Sequence, residues 1–185
     1  MKAIFLSLLL MLLTSCSSEN DIIDSSPITN YTWVLNSFKT SVPIDLNRDG
    51  VTSTDMVLEF ECIKNEGYSF LNPGMVRYFI SGLNTEGEFI NGNFIIFNIG
   101  CIEDEELIPT IPIFGDYKMI DSNKIKFKYH NVVVVENGPV EEELTLVEDK
   151  LIKVTNQLYP TNYDSVNQRW IRTNITTTRE YIKAF

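Results

Sequence analysis

The chain has 185 residues, 25 of them acidic against 15 basic, for a formal net charge of -10, and 44% of it is apolar. So acidic a chain argues against binding nucleic acid, and against docking on anionic lipid through basic patches. With one histidine in the whole sequence, a Cys/His zinc site has too few ligands, and a Ser-His or Cys-His catalyst would depend on His130 alone.

The chain opens MKAIFLSLLLMLLTSC. Lys2 supplies a positive start, and Ala3 to Leu13 form an apolar core too short to span a bilayer comfortably, which is the pattern of a processing signal. The core ends in Leu13-Thr14-Ser15-Cys16, which resembles the lipobox of bacterial lipoproteins. That resemblance implies removal of residues 1–15, a diacylglycerol on the Cys16 thiol and an acyl chain such as palmitate on the new amino group. Several acyl chains anchor firmly where one binds only marginally. The alternative is an ordinary signal peptide that contains a cysteine. Residues 16–30, polar and acidic, form a flexible tether. Their acidic, serine-containing stretch also resembles the surface-export signal of some Gram-negative lipoproteins. It implies an outer-membrane protein, on the cell surface in preference to the periplasmic face. Residues 31–185 are one domain's worth of sequence.

From Tyr31 onward the period is two, and the chain predicts a succession of short strands. The first is Tyr31–Phe38. Ser53–Glu61 is the one helical candidate, with Thr52 and Asp55 at capping-box spacing, although Met56, Leu58 and Phe60 alternate as a strand would. Then follow strands at Gly67–Leu71, Met75–Ile80, Phe89–Phe97 and Tyr117–Ile120. Turn signals fall at Asn72-Pro73-Gly74, Asn91-Gly92 and Asp121-Ser122-Asn123. Lys124 to His130 alternates charged and apolar residues without a fault, placing His130 on the wet face. Asn137-Gly138 between Val132–Val135 and Val140–Val147 is a hairpin signal, and another reversal falls at Glu148–Lys150. Leu151–Leu158, Arg169–Asn174 and Thr177–Ile182 complete the strands. Roughly eight to ten short strands with one short helix predict an all-β fold, an antiparallel up-and-down barrel or, alternatively, a β-sandwich.

The order Trp33-Val34-Leu35, the loop DLNRDG, Cys62, and Tyr68-Ser69-Phe70 with Asn72 and Gly74 resembles the small lipocalin-like lipoproteins of Gram-negative bacteria. Its motifs cover Tyr31 to Cys101, and the remainder matches by strand pattern alone. The resemblance implies an eight-stranded barrel with an internal pocket. Lipocalins proper open with G-x-W, whereas Tyr31 stands two residues before Trp33.

Two cysteines remain beyond Cys16. An even remainder in an exported chain predicts a Cys62–Cys101 disulfide, closing a loop of roughly 40 residues. The segment PIDLNRDGVTSTD places Asp45, Asn47 and Asp49 on alternate residues before Gly50, as a calcium loop of the EF-hand type begins. In that frame the Val51 carbonyl takes position seven and Ser53 position nine. Position twelve requires a carboxylate and holds Met56, while Asp55 arrives one residue early. Three readings stay open: a distorted calcium loop closed by Asp55, a half-site completed by another carboxylate such as Glu59, or a plain turn. In the plain turn Asp45 and Asn47 accept backbone amides and Asp55 caps the helix.

The acidic run Glu103 to Glu106 fits a solvated loop, and Glu141 to Glu143 an exposed strand edge. No nucleophile motif or phosphate loop occurs, so a non-enzymatic role is expected. Trp33, Trp170 and the many Phe and Tyr either line a calyx or fill the core. Asn156, sharing parity with Ile152, Val154 and Leu158, suggests a pocket or a satisfied hydrogen bond on a buried face. The leading expectation is a lipid-anchored extracytoplasmic module, membrane-bound through Cys16, that holds a small apolar or amphipathic ligand. The rival is a filled barrel acting through its surface as an interaction or structural protein of the envelope, stabilised in either case by calcium if the loop binds it.

Overall fold

The computed structural model describes residues 27–71, 74–79, 82–102, 113–130 and 141–184. The signal segment, Cys16, residues 16–26 of the tether, the run 103–106, the strand candidate Val132–Val135 and the Asn137-Gly138 turn lie outside these residues. The last tether residues, 27–30, are described, with Ile28 and Thr29 buried and Thr29 bridged to Phe70. Strands are β1 (Thr32–Ile44), β2 (Ser53–Asp55), β3 (Gly67–Leu71), β4 (Met75–Phe79), β5 (Leu83–Ile90), β6 (Asn93–Cys101), β7 (Ile113–Met119), β8 (Lys124–Tyr129), β9 (Glu141–Val147), β10 (Lys150–Asp164) and β11 (Arg169–Ala184). Helix α1 (Met56–Glu59) and a 3-10 turn (Glu61–Asn65) are the helical pieces.

Eight strands close an antiparallel up-and-down barrel in the order β1-β3-β4-β7-β8-β9-β10-β11. The seam is β11 returning to β1, from Thr32↔Ala184 to Thr40↔Thr177. The fold is therefore the barrel and not the sandwich. Each of the eight is thus paired on both sides over part of its length. At the base β1 begins, β11 ends, and the β3–β4, β7–β8 and β9–β10 turns gather. The opposite end, the mouth, carries the Asp45 loop, α1, the separate β5–β6 hairpin and the tip of the β10–β11 hairpin.

Several boundaries differ from the sequence expectation. Phe89–Phe97 is not one strand, because Asn91 and Gly92 take φ of 52° and 78°, the two left-handed residues of a tight hairpin turn. Conversely, Arg169 to Ala184 is one strand: Asn174–Thr177 is paired to β10 throughout, with β1 joining from Thr177 onward, and threonine suits a half-buried ladder. The helix is only Met56–Glu59, since Ser53–Asp55 is drawn into pairing with β1. Asp55, not Thr52, is its cap, and its Oδ1 accepts the Val57 N–H at 3.2 Å.

The base is closed by Trp33, fully buried, whose Nε1 donates to the Ile28 carbonyl at 3.0 Å. β3 approaches so closely there that a Cβ on Gly67 would lie 2.5 Å from the Trp33 carbonyl oxygen, so only glycine fits. Lys183, the cross-strand partner of Trp33, sits 4.7 Å above the Tyr31 ring and 5.5 Å from that of Trp33. At the mouth, Cys62 of the 3-10 turn is joined to Cys101 at the end of β6, with the Cα atoms 5.8 Å apart. Closing 39 residues of separation restricts the unfolded chain by about 4 kcal/mol in the chain-entropy model.

Candidate functional site

The barrel's inner wall carries an unusual set of side chains for so small a core. On β10, Leu151, Lys153 and Tyr159 are buried while Val154 and Leu158 are 59% and 52% exposed. The parity is thus opposite to the one that made Asn156 a candidate. Asn156 faces outward and accepts from Thr176 Oγ1 at 2.7 Å. Apolar residues stand on both faces of this strand, so period alone could not choose between them.

Tyr68, at 0% exposure, is the hub of the interior. Its ring lies 4.9 Å from Tyr181, 5.1 Å from Tyr78, 5.4 Å from Phe127 and 6.1 Å from Phe70. These partners stand on β11, β4, β8 and β3 itself, so rings from around the circumference meet in the middle. An eight-stranded barrel is just wide enough for side chains to fill it.

Two ion pairs complete the plug. Arg179 Nε lies 3.4 Å from Glu66 Oε2, the two side chains 14% and 5% exposed, and its guanidinium sits 3.9 Å over the Phe38 ring. Tyr181 donates its hydroxyl to Glu66 Oε1. Lys153 Nζ contacts Glu142 Oε2 at 2.6 Å, and Tyr129 donates to the same oxygen at 2.9 Å. Glu142 is therefore an inward group. Among the described residues the triplet is laddered to β8 alone, the β10 pairing covering Thr145–Val147, so its other side is an edge as expected, and its outward members Glu141 and Glu143 meet Lys126 and Lys124. Burial pushes the phenols of Tyr68, Tyr78, Tyr129 and Tyr181 well above their ordinary range, with nearby carboxylates adding to it. Burial likewise raises Tyr159 to about 12. For Arg179 burial opposes the charge, but Glu66 and the surrounding tyrosines outweigh it, and its pKa rises. Among the described residues Tyr68 Oη, Trp170 Nε1 and Arg179 Nε are buried with no hydrogen-bond acceptor or donor opposite them. Arg179 Nε is near enough to Glu66 for charge pairing, but its N–H is not directed along that line.

At the mouth, the Asp45 loop is a network of side chain to amide bonds. Asp45 Oδ1 accepts from Asp49 N at 3.0 Å and Oδ2 from Gly50 N at 2.9 Å. Asn47 Oδ1 also accepts from Asp49 N at 3.0 Å, and Asp49 Oδ1 from Val51 N at 2.8 Å. Buried Glu59 comes up beneath, its Oε2 taking Leu46 N at 2.8 Å and Asn47 N at 3.3 Å. Asp55 is engaged as the helix cap. These are the bonds of the plain turn. No group of three or more His, Cys, Asp or Glu side chains placed to hold a metal occurs among the described residues.

The turn holds Arg48 at φ 61°. From there its guanidinium lies 4.5 Å over the Tyr163 ring, at the tip of the β10–β11 hairpin, and Nη2 reaches Asn98 Oδ1 on β6 at 3.4 Å. Ile96 and Ile99 of β6 join the core. One loop residue thus clasps both hairpins, a role no sequence motif announced. His130, exposed as its parity predicted, pairs with Asp116 at 2.7 Å.

Three clefts bounded by described residues are lined mainly by outward-facing side chains. One of about 240 Å³ lies along Lys118, Lys126 and Lys128, one of about 410 Å³ beside Tyr31 and Lys183, and one of about 280 Å³ at the mouth between the Asp45 loop and Tyr163. No protein-family model matches the chain, and no curated protein or solved structure is significantly similar to it.

Proposed function

We propose that the chain is a filled β-barrel of the bacterial cell envelope, anchored by lipid on Cys16, that acts by binding at its mouth. The observation that carries this reading is the meeting of rings from β4, β8 and β11 on Tyr68, at 4.9 to 5.4 Å. A calyx for an apolar molecule needs open, mostly apolar space. Here the middle of the barrel is taken by packed rings, and beside them stand two ion pairs, Arg179–Glu66 and Lys153–Glu142. The mouth, by contrast, combines exposed polar side chains, a disulfide and the Arg48 clasp, which hold three chain segments in one fixed surface. Binding residues on loops held by a rigid barrel are a common arrangement.

Site-specific photo-crosslinking in a Gram-negative host tests the proposal. A crosslinker at Asn162, on the mouth, should capture a discrete envelope component, while one at Lys126, on the outer wall, should not. Equal capture at both positions, or capture at neither, would overturn it.

A further inference from the structure

Resting on the mouth as the binding surface, we infer that the cleft between the Asp45 loop and the β10–β11 tip takes a neutral polyhydroxylated ring, a hexopyranose unit. The cleft is bounded by Pro43, Asp45, Arg48, Thr161, Asn162 and Tyr163, with Thr52 at its rim, and encloses about 280 Å³. That lies just under the roughly 300–1,000 Å³ of sites for drug-sized ligands, and suits a single sugar ring.

The lining selects by chemistry. It holds one carboxylate, Asp45, and one guanidinium, Arg48, so an anion meets the first and a cation the second. A neutral ligand that both donates and accepts satisfies both. Each Asp45 oxygen already accepts one amide N–H and keeps a lone pair for a ligand hydroxyl. Arg48 uses one nitrogen on Asn98 and its face on Tyr163, which leaves further N–H donors for ring or hydroxyl oxygens. Asn162 is exposed and carries both a donor and an acceptor, and Thr52 adds a hydroxyl, while that of Thr161 donates to the Ile171 carbonyl and accepts from Thr173. Pro43 and the part of Tyr163 left uncovered by Arg48 and Trp170 give the apolar surface against which C–H groups of a sugar rest. These groups are also set in advance, because the Asp45 turn is tied through six amide bonds to Asp45, Asn47, Asp49 and Glu59. Groups fixed before binding lose less entropy when a ligand arrives.

A reporter stands next to the cleft: the rings of Trp170 and Tyr163 are 5.5 Å apart. Titration of the purified domain with glucose, galactose, mannose and glucuronate, followed by saturation-transfer NMR and Trp170 emission, provides the test. At least one neutral hexose should give saturable transfer and an emission change, with glucuronate weaker by several-fold. Asn162→Ala should raise the Kd roughly tenfold, the loss of a hydrogen bond or two. The absence of any saturable response to the three neutral sugars, or stronger binding of glucuronate, would overturn the inference. Crosslinking from Asn162 would still report on the mouth as an interaction surface, so the two failures are distinct.

Discussion

Tyr68→Ala probes whether the barrel is packed across its middle or hollow. Deleting a buried aromatic side chain costs about 3–5 kcal/mol when the surroundings cannot collapse, and favourable ring pairs carry about 0.5–1.5 kcal/mol each beyond their area. Tyr68 touches four rings, which places it at the upper end of that range. Its hydroxyl has no protein partner, so losing it returns about 1 kcal/mol of unmet desolvation. The expected net loss is about 3–4 kcal/mol. With an m-value near 2 kcal/mol/M, the urea midpoint should fall by roughly 1.5–2 M. Tyr68→Phe keeps the ring and removes only the orphan hydroxyl, so its midpoint should stay within about 0.5 M of the parent or rise. A Tyr68→Ala midpoint within about 0.5 M of the parent would mean that the ring borders open space, and the reasoning would fail.

Three further outcomes follow from the same geometry. Arg179→Met strands buried Glu66 and should destabilise by about 3–5 kcal/mol, while adding Glu66→Gln should recover much of that loss, both read by urea unfolding. The buried phenols bind their protons more tightly in the folded state than the ordinary value of 10. Their contribution is therefore whole below pH 10 and is lost as pH rises, across pH 10 to about 12 for Tyr159 and higher for the others. Tyrosinate absorbance should accordingly show a block of tyrosines ionising only together with alkaline unfolding, and gradual ionisation in the folded state would contradict it. The Asp45 turn is held by its own amide bonds, so Asp45→Ala should lower stability by about 1–2 kcal/mol with or without chelator. A calcium-dependent rise in Tm of several degrees, abolished by Asp49→Ala, would show instead that the loop takes an ion.

The all-β barrel was legible in the sequence because Lys124 to His130 and its neighbours alternate cleanly, and alternation is what a half-buried strand requires. The disulfide was legible from the two cysteines that remain once Cys16 is set aside. The interior network was not. Lys153, Glu142 and Arg179 are charged residues on strands, and charge in a strand ordinarily marks the wet face. The one available signal was parity: Glu142 keeps step with Leu144, and Arg179 keeps step with Thr177 and Tyr181, all of them buried. On β10 that signal is blurred, since Ile152, Val154 and Leu158 line the outer face as fully as Leu151 and Tyr159 line the inner one. Arg48 could not be found by pattern at all. Its role arises because residues 48, 98 and 163, on the Asp45 loop, the separate β5–β6 hairpin and the β10–β11 hairpin, meet only in the folded chain.

Native mass spectrometry of the purified domain tests the filled barrel most directly. The account predicts the mass of the polypeptide alone, with no stoichiometric apolar adduct either after purification or after incubation with a long-chain fatty acid. A stoichiometric adduct that survives dilution would contradict it and return the barrel to the hollow, ligand-enclosing class.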